Sequence, residues 1–138
     1  MAIEFSGLKG VLDALDGIAD IESFKKGLEK SCLLVETEAV KKAPKGDGTL
    51  RQSITSKVDG LTGIVFTPLE YAPYVEYGTG IHATGTGGGR QDVPWVYQDE
   101  KTGEWHSTSG QHPQPYMRPA LDENKDKVIE ILKGAFKL

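Results

Sequence analysis

Apolar residues recur at helical spacing in three stretches of the chain and at strand spacing between them. Leu8, Val11, Leu12 and Leu15 fall at i, i+3, i+4 and i+7, with Ser6 placed to cap and Asp16-Gly17 placed to end a short first helix. Phe24, Leu28, Cys32, Val35 and Ala39 form one stripe with the small Ser31 beside it, while Glu29, Lys30, Glu36, Glu38 and Lys41 supply a wet face. This spacing predicts a long helix from about Ser23 to Ala43. Ser23 suits its cap, and Pro44 stops it, because the residue before a proline avoids helical backbone. A closing helix is expected from about Pro119 to Phe136, with Leu121, Val128, Ile131, Leu132 and Ala135 facing the core. Asp122 and Glu123 near its start and Lys133 and Lys137 near its end complement the helix dipole.

The middle of the chain reads as strands and turns. After the turn-rich residues 45 to 49, Ile54, Ser56 and Val58 alternate with Ser53, Thr55 and Lys57 over a strand running from Leu50 to Asp59. Gly60-Leu61-Thr62-Gly63 turns into Ile64-Val65-Phe66-Thr67, completing a β-hairpin. Tyr71 to Tyr77 predicts one short helix ended by Gly78. Residues 80–91 form a flexible glycine-rich loop, and a second hairpin follows, Val93 to Tyr97 with Glu104 to Ser107, carrying Trp95 and Trp105. The expected architecture is α+β in a single domain over 1–138: a long N-terminal helix, an antiparallel sheet of about four strands from two hairpins, and a closing C-terminal helix.

Composition narrows the chemistry. The 138 residues suit one domain, and 38% hydrophobic with 26% charged residues is the balance of a folded globular chain. A formal net charge of −4 argues against a dedicated nucleic-acid binder, whose affinity comes from Lys and Arg neutralising phosphates. No run is long enough to span a membrane, and Met1-Ala2-Ile3-Glu4 opens no secretory signal, so the chain is expected to stay in the cytosol until packaged. The lone Cys32 reads as a small core residue.

Catalytic and cofactor patterns are not evident. The glycine loop runs into Asp92-Val93-Pro94-Trp95, a strand, where a phosphate loop would feed a helix and carry Gly-Lys-Ser or Gly-Lys-Thr. His82, His106 and His112 have no helical i, i+4 pairing and no cysteine nearby, so no metal site is expected. Glu36 and Glu38 point to different helix faces, and Asp13 and Asp16 lie on a solvated stretch. Asp59 and Glu70 lack the lysine partner of a nuclease cluster, and no Gly-x-Ser-x-Gly elbow occurs.

Three segments are unusually dense in special residues: Lys42-Ala43-Pro44 through Gly48-Thr49-Leu50-Arg51-Gln52-Ser53-Ile54, Tyr71-Ala72-Pro73-Tyr74-Val75-Glu76-Tyr77-Gly78-Thr79-Gly80, and Gln114-Pro115-Tyr116-Met117-Arg118-Pro119-Ala120-Leu121. The tyrosines of the second segment are expected to bury flat surfaces, with Glu76 buried among them and paired with Arg118 or Arg51. In order and spacing the three segments resemble the tail-completion, or head–tail joining, proteins of tailed phages, the family typified by the tenth gene product of a lambda-like phage. The order at Asp47-Gly48-Thr49 departs from the usual Thr-Gly.

The resemblance implies a non-enzymatic virion subunit without cofactors, placed at the head–tail junction after assembly in the host cytoplasm. Its partners would be copies of itself in a ring, sixfold by preference, and connector and tail proteins. DNA would pass through the lumen without sequence-specific binding, and no membrane is involved. Alternatives are a tail terminator or connector stopper subunit, a channel-lining protein, or a small phage nuclease. Arg90, Trp95 and Trp105 are the candidates for contact with a neighbouring subunit or the connector, since arginine and large aromatics favour interfaces.

Overall fold

The computed structural model describes residues 1–5, 21–84 and 89–135. The helix expected after Ser6 and the centre of the glycine-rich loop, residues 85–88, lie outside the described residues. The chain forms two compact units, one of Met1–Leu69 with Tyr116–Leu138 and one of Glu70–Pro115.

In the first unit, strand β1 (Ala2–Phe5) precedes helix α1 (Ile21–Lys42), helix α2 (Thr49–Ser53), strands β2 (Thr55–Asp59) and β3 (Thr62–Phe66), and helices α4 (Met117–Asp122) and α5 (Lys125–Ala135), helix α3 (Ala72–Tyr77) belonging to the other unit. The strands form one antiparallel sheet in the order β1-β3-β2, with Ile3 and Ser56 both opposite Val65. Helix α1 packs against this sheet and against α4 and α5. Its stripe is the core as the spacing predicts: Phe24, Leu28, Cys32, Val35 and Ala39 are all buried, together with Ser31, whose hydroxyl donates to the Gly27 carbonyl at 2.8 Å. Fully burying side chains such as Phe24, Leu28 or Val35 stabilises the unit by about 1.5–3 kcal/mol each. The helix meets β3 closely at Gly63, where a Cβ would lie 2.7 Å from the Cys32 sulfur and 2.8 Å from the Phe5 ring. That closeness explains the Cys32 environment. Burial pushes its thiol up to about 11, helped by Glu36 and Glu29 and opposed by a hydrogen bond from the Ile64 backbone.

The structure departs from the expected elements in four places. β1 was not foreseen. The expected strand from Leu50 begins as α2: the Thr49 N–H donates to Asp47 Oδ1 at 3.0 Å, and the Ser53 hydroxyl donates to the Leu50 carbonyl at 2.6 Å. The Thr67 hydroxyl, 2.7 Å from Ser53 Oγ, then ties this turn to the end of β3. The closing helix is two helices, broken at Asn124, whose side-chain amide donates to the Ala120 carbonyl while its own carbonyl accepts from the Val128 N–H. Finally, the two hairpins do not merge; the second forms its own two-stranded sheet.

The first and third dense segments serve this unit. Leu50 and Ile54 are buried, and Arg51 donates from Nε to the Ala43 carbonyl at 2.8 Å and from Nη2 to the Lys41 carbonyl at 3.2 Å. A guanidinium there satisfies carbonyls left open at the end of α1 and suits the negative end of its dipole. Tyr116, Met117 and Ala120 are fully buried and anchor α4 in the core.

Candidate functional site

The second unit holds helix α3 (Ala72–Tyr77), a 3-10 turn (Gly80–His82) and a ribbon of strands β4 (Trp95–Gln98) and β5 (Trp105–Thr108). Pro73 pre-sets the first turn of α3, and Gly78 ends it at φ 80, its N–H donating to the Tyr74 carbonyl at 2.9 Å. The helix departs from the sequence expectation in its tyrosines. Ala72 and Glu76, one turn apart, are buried, whereas Tyr71, Tyr74 and Tyr77 are exposed at 44%, 61% and 41%. Burial of Glu76 at 2% exposure is as expected, but the tyrosines are presented outward.

Beyond α3 the backbone is clasped. Thr79 N–H donates to the Gln111 carbonyl at 2.9 Å, Ile81 N–H to the Ser109 carbonyl at 3.2 Å, and Gln111 N–H to the Thr79 hydroxyl at 2.9 Å. The two segments approach so closely that only glycine fits at the crossing. A Cβ on Gly80 would lie 2.7 Å from the Ser109 carbonyl carbon, and one on Gly110 would lie 2.6 Å from that of Thr79. Gly80 also has φ +61, a backbone that L side chains rarely adopt. Beside the clasp the His82 and His112 rings stack at 3.8 Å.

The clasp and α3 wall a groove of about 750 Å³, lined among others by Pro73, Tyr74, Tyr77, Thr84, Arg90 and Trp95. Arg90 lies over the Trp95 ring, 5.0 Å from its centroid, and pairs with Asp92 at 3.4 Å. The arrangement is a cation–π contact at the groove wall. The ribbon continues from there. Its register sets Trp95 opposite Thr108, Val96 opposite Ser107, Tyr97 opposite His106 and Gln98 opposite Trp105. Side chains alternate along strands, so Trp95 and Tyr97 take one face and Val96 and Trp105 the other. Trp105 is 68% exposed and Val96 65%. Asp99 builds the turn by accepting the N–H groups of Lys101 and Thr102 at 2.7 and 3.2 Å, and those bonds hold its carboxyl below the usual range.

Glu70, Glu76, Asp92, Asp99, Glu100 and Glu104 stand against only Arg90 and Lys101 in this unit. Six carboxylates against two cations equal the chain's whole net charge of −4, leaving the rest of the sequence formally neutral. Among the described residues, no group of three His, Cys, Asp or Glu side chains could hold a metal ion, and no helix is long and apolar enough to cross a membrane.

The sequence-derived candidates therefore fall as follows. Arg90 and Trp95 are brought together at the groove. Trp105 belongs to the same ribbon but faces away from Trp95. Glu76 lies in the second unit, Arg51 and Arg118 in the first. Arg51 donates to the Ala43 and Lys41 carbonyls at the end of α1. Sequence reasoning missed Tyr74 and Tyr77 as groove walls and Thr79 as the clasp. The signal for the clasp was present in the glycines at 78, 80 and 110, which mark backbone that no other residue adopts easily.

Comparison with known proteins places the chain. Neither the curated proteins nor the solved structures contain a match to it. The pattern of the family described as "Bacteriophage HK97-gp10, putative tail-component" matches residues 8–78, just over half the chain, a span that takes in α1, the first hairpin and α3. The chain belongs to this HK97-gp10-like family of bacteriophage tail components.

Proposed function

We propose that the chain is a tail-completion subunit that closes the head-proximal end of a phage tail and joins it to the head connector, working as a ring of copies, six to match the tail tube. Family membership makes it a phage structural component of the virion. The observation that carries the finer reading is the second unit's uncovered aromatic surface: Tyr74, Tyr77 and the Arg90–Trp95 pair on the groove, and Trp105 on the ribbon. Tyr, Trp and Arg are the residues that dominate binding at protein interfaces, where they are desolvated by a partner. The three dense segments, in the order found in head–tail joining proteins, support the same place in the virion. DNA passes such a ring without being read, in keeping with a net charge of −4.

Deleting the protein from its phage tests this directly. Electron microscopy of the lysate should show filled heads and tails that are unjoined, or tails with an unfinished upper end. Arg90→Ala or Trp95→Ala should give a folded subunit that fails to complement the deletion. Normal infectious particles from the deletion phage would overturn the reading.

A further inference from the structure

We infer that the second unit carries both halves of a head-to-tail contact between copies of this chain: the Val96–Trp105 face of one copy's ribbon seats in the Tyr74–Tyr77–Arg90–Trp95 groove of the next. The inference deepens the ring reading above and rests on it. A two-stranded ribbon is marginally stable alone and needs cover. Here one face turns Trp95 to the groove under Arg90, while the other presents Val96 and Trp105 at 65% and 68% exposure. The register places these apolar surfaces on opposite sides of one ribbon. Unlike surfaces facing opposite ways cannot close a twofold pair, so self-association through them runs head to tail, the geometry that makes rings.

Charge favours a second copy as the occupant. The ribbon's turn carries Asp99, Glu100 and Glu104 against Lys101, and the groove carries Arg90, whose partner within the chain is the exposed Asp92 at 3.4 Å. Seating ribbon in groove brings an acidic rim to a cation. Pairing like faces would instead set carboxylates against carboxylates. Size fixes how tight the contact is. A tryptophan buries about 150–250 Å², against about 800 Å² per partner in a standard interface. One contact is thus an anchor that needs the second contact of a closed ring to hold it, and cross-linking suits it better than a dilute-solution binding assay.

The test uses two variants of the full chain that each add one cysteine, Val96→Cys on the ribbon face and Thr84→Cys on the groove, with a short bismaleimide. Native Cys32 is buried and stays silent. Mixing the two variants should give a cross-linked dimer that neither gives alone, and a Val96→Cys/Thr84→Cys chain should give a ladder of higher species. Adding Trp105→Ala to the Val96→Cys chain should lower the dimer yield at least about tenfold. Equal cross-linking in the unmixed samples, no cross-link at high concentration, or indifference to Trp105→Ala would overturn the inference. A ladder from purified protein alongside a deletion phage of normal morphology would refute the joining role but leave this contact standing. Unjoined heads and tails without any cross-link would do the reverse.

Discussion

Gly80→Ala offers a sharp measure of the clasp beneath the groove, because Gly60 provides a matched reference. The two glycines have nearly the same φ, +61 and +60, but a Cβ on Gly60 meets nothing within 4 Å. Gly60→Ala therefore reports only the cost of an L residue in left-handed backbone, about 1–2 kcal/mol. Gly80→Ala carries the same cost and adds a collision with backbone: its Cβ would lie 2.7 Å from the Ser109 carbonyl carbon and 2.8 Å from the Gly110 Cα. Backbone cannot swing aside as a side-chain tip can. Relief requires the two segments to separate, which strains packing by about 1–3 kcal/mol and weakens the bonds from Thr79 and Ile81 N–H to the Gln111 and Ser109 carbonyls, about 1 kcal/mol each. The total, about 4–7 kcal/mol, is comparable with the whole stability of a small domain, about 5–15 kcal/mol. Amide hydrogen exchange reads this locally. Gly80→Ala should abolish protection at Thr79, Ile81 and Gln111, and Gly60→Ala should leave it intact. Equal protection in the two variants would show that the clasp is not what holds this backbone, and the account of the groove wall would fail with it.

The buried Cys32 thiol, pushed up to about 11 by desolvation, should resist iodoacetamide at neutral pH and react only on unfolding; rapid labelling of the native chain would contradict its place under Gly63. Because its folded value is raised, its contribution to stability is fully present below the ordinary thiol value of 9.0 and is lost as pH rises toward 11, which alkaline denaturation midpoints would register against Cys32→Ala. Asp99 runs the other way. Its carboxyl is lowered by the Lys101 and Thr102 amides, so its support of the ribbon turn is present above the ordinary carboxylate range and fades as pH falls through its lowered value. Trp105 indole resonances followed from neutral pH to pH 2 should shift with that loss, and an unchanged spectrum in the acid would refute it.

Much of the first unit was legible in the sequence, because its signals are local and repeated. The Phe24–Ala39 stripe runs for several turns, so a single helical period defines the core face, and α1 follows it to within two residues of the expected bounds. The alternation through Ser56 and Val58 likewise shows which way β2 faces, and Gly78 ends α3 where expected. Elements defined by partners rather than by pattern were not legible. β1 has only Ile3 buried and exists because it pairs with β3. The five-residue α2 is too short for a period to show and is held by Asp47, Ser53 and Thr67. In the candidate site tertiary structure overrides hydropathy outright. α3 buries Glu76, as the sequence reading expected, but exposes Tyr74 and Tyr77, with Tyr71 exposed at its N-cap, against what their rings alone would choose. The sequence also named Trp95 and Trp105 without showing that they face apart, since face depends on strand register, and register is decided by the turn that Asp99 closes. A helix writes its buried face into its own spacing; a ribbon's faces, and a groove's walls, are set by residues distant in the chain that only folding brings together.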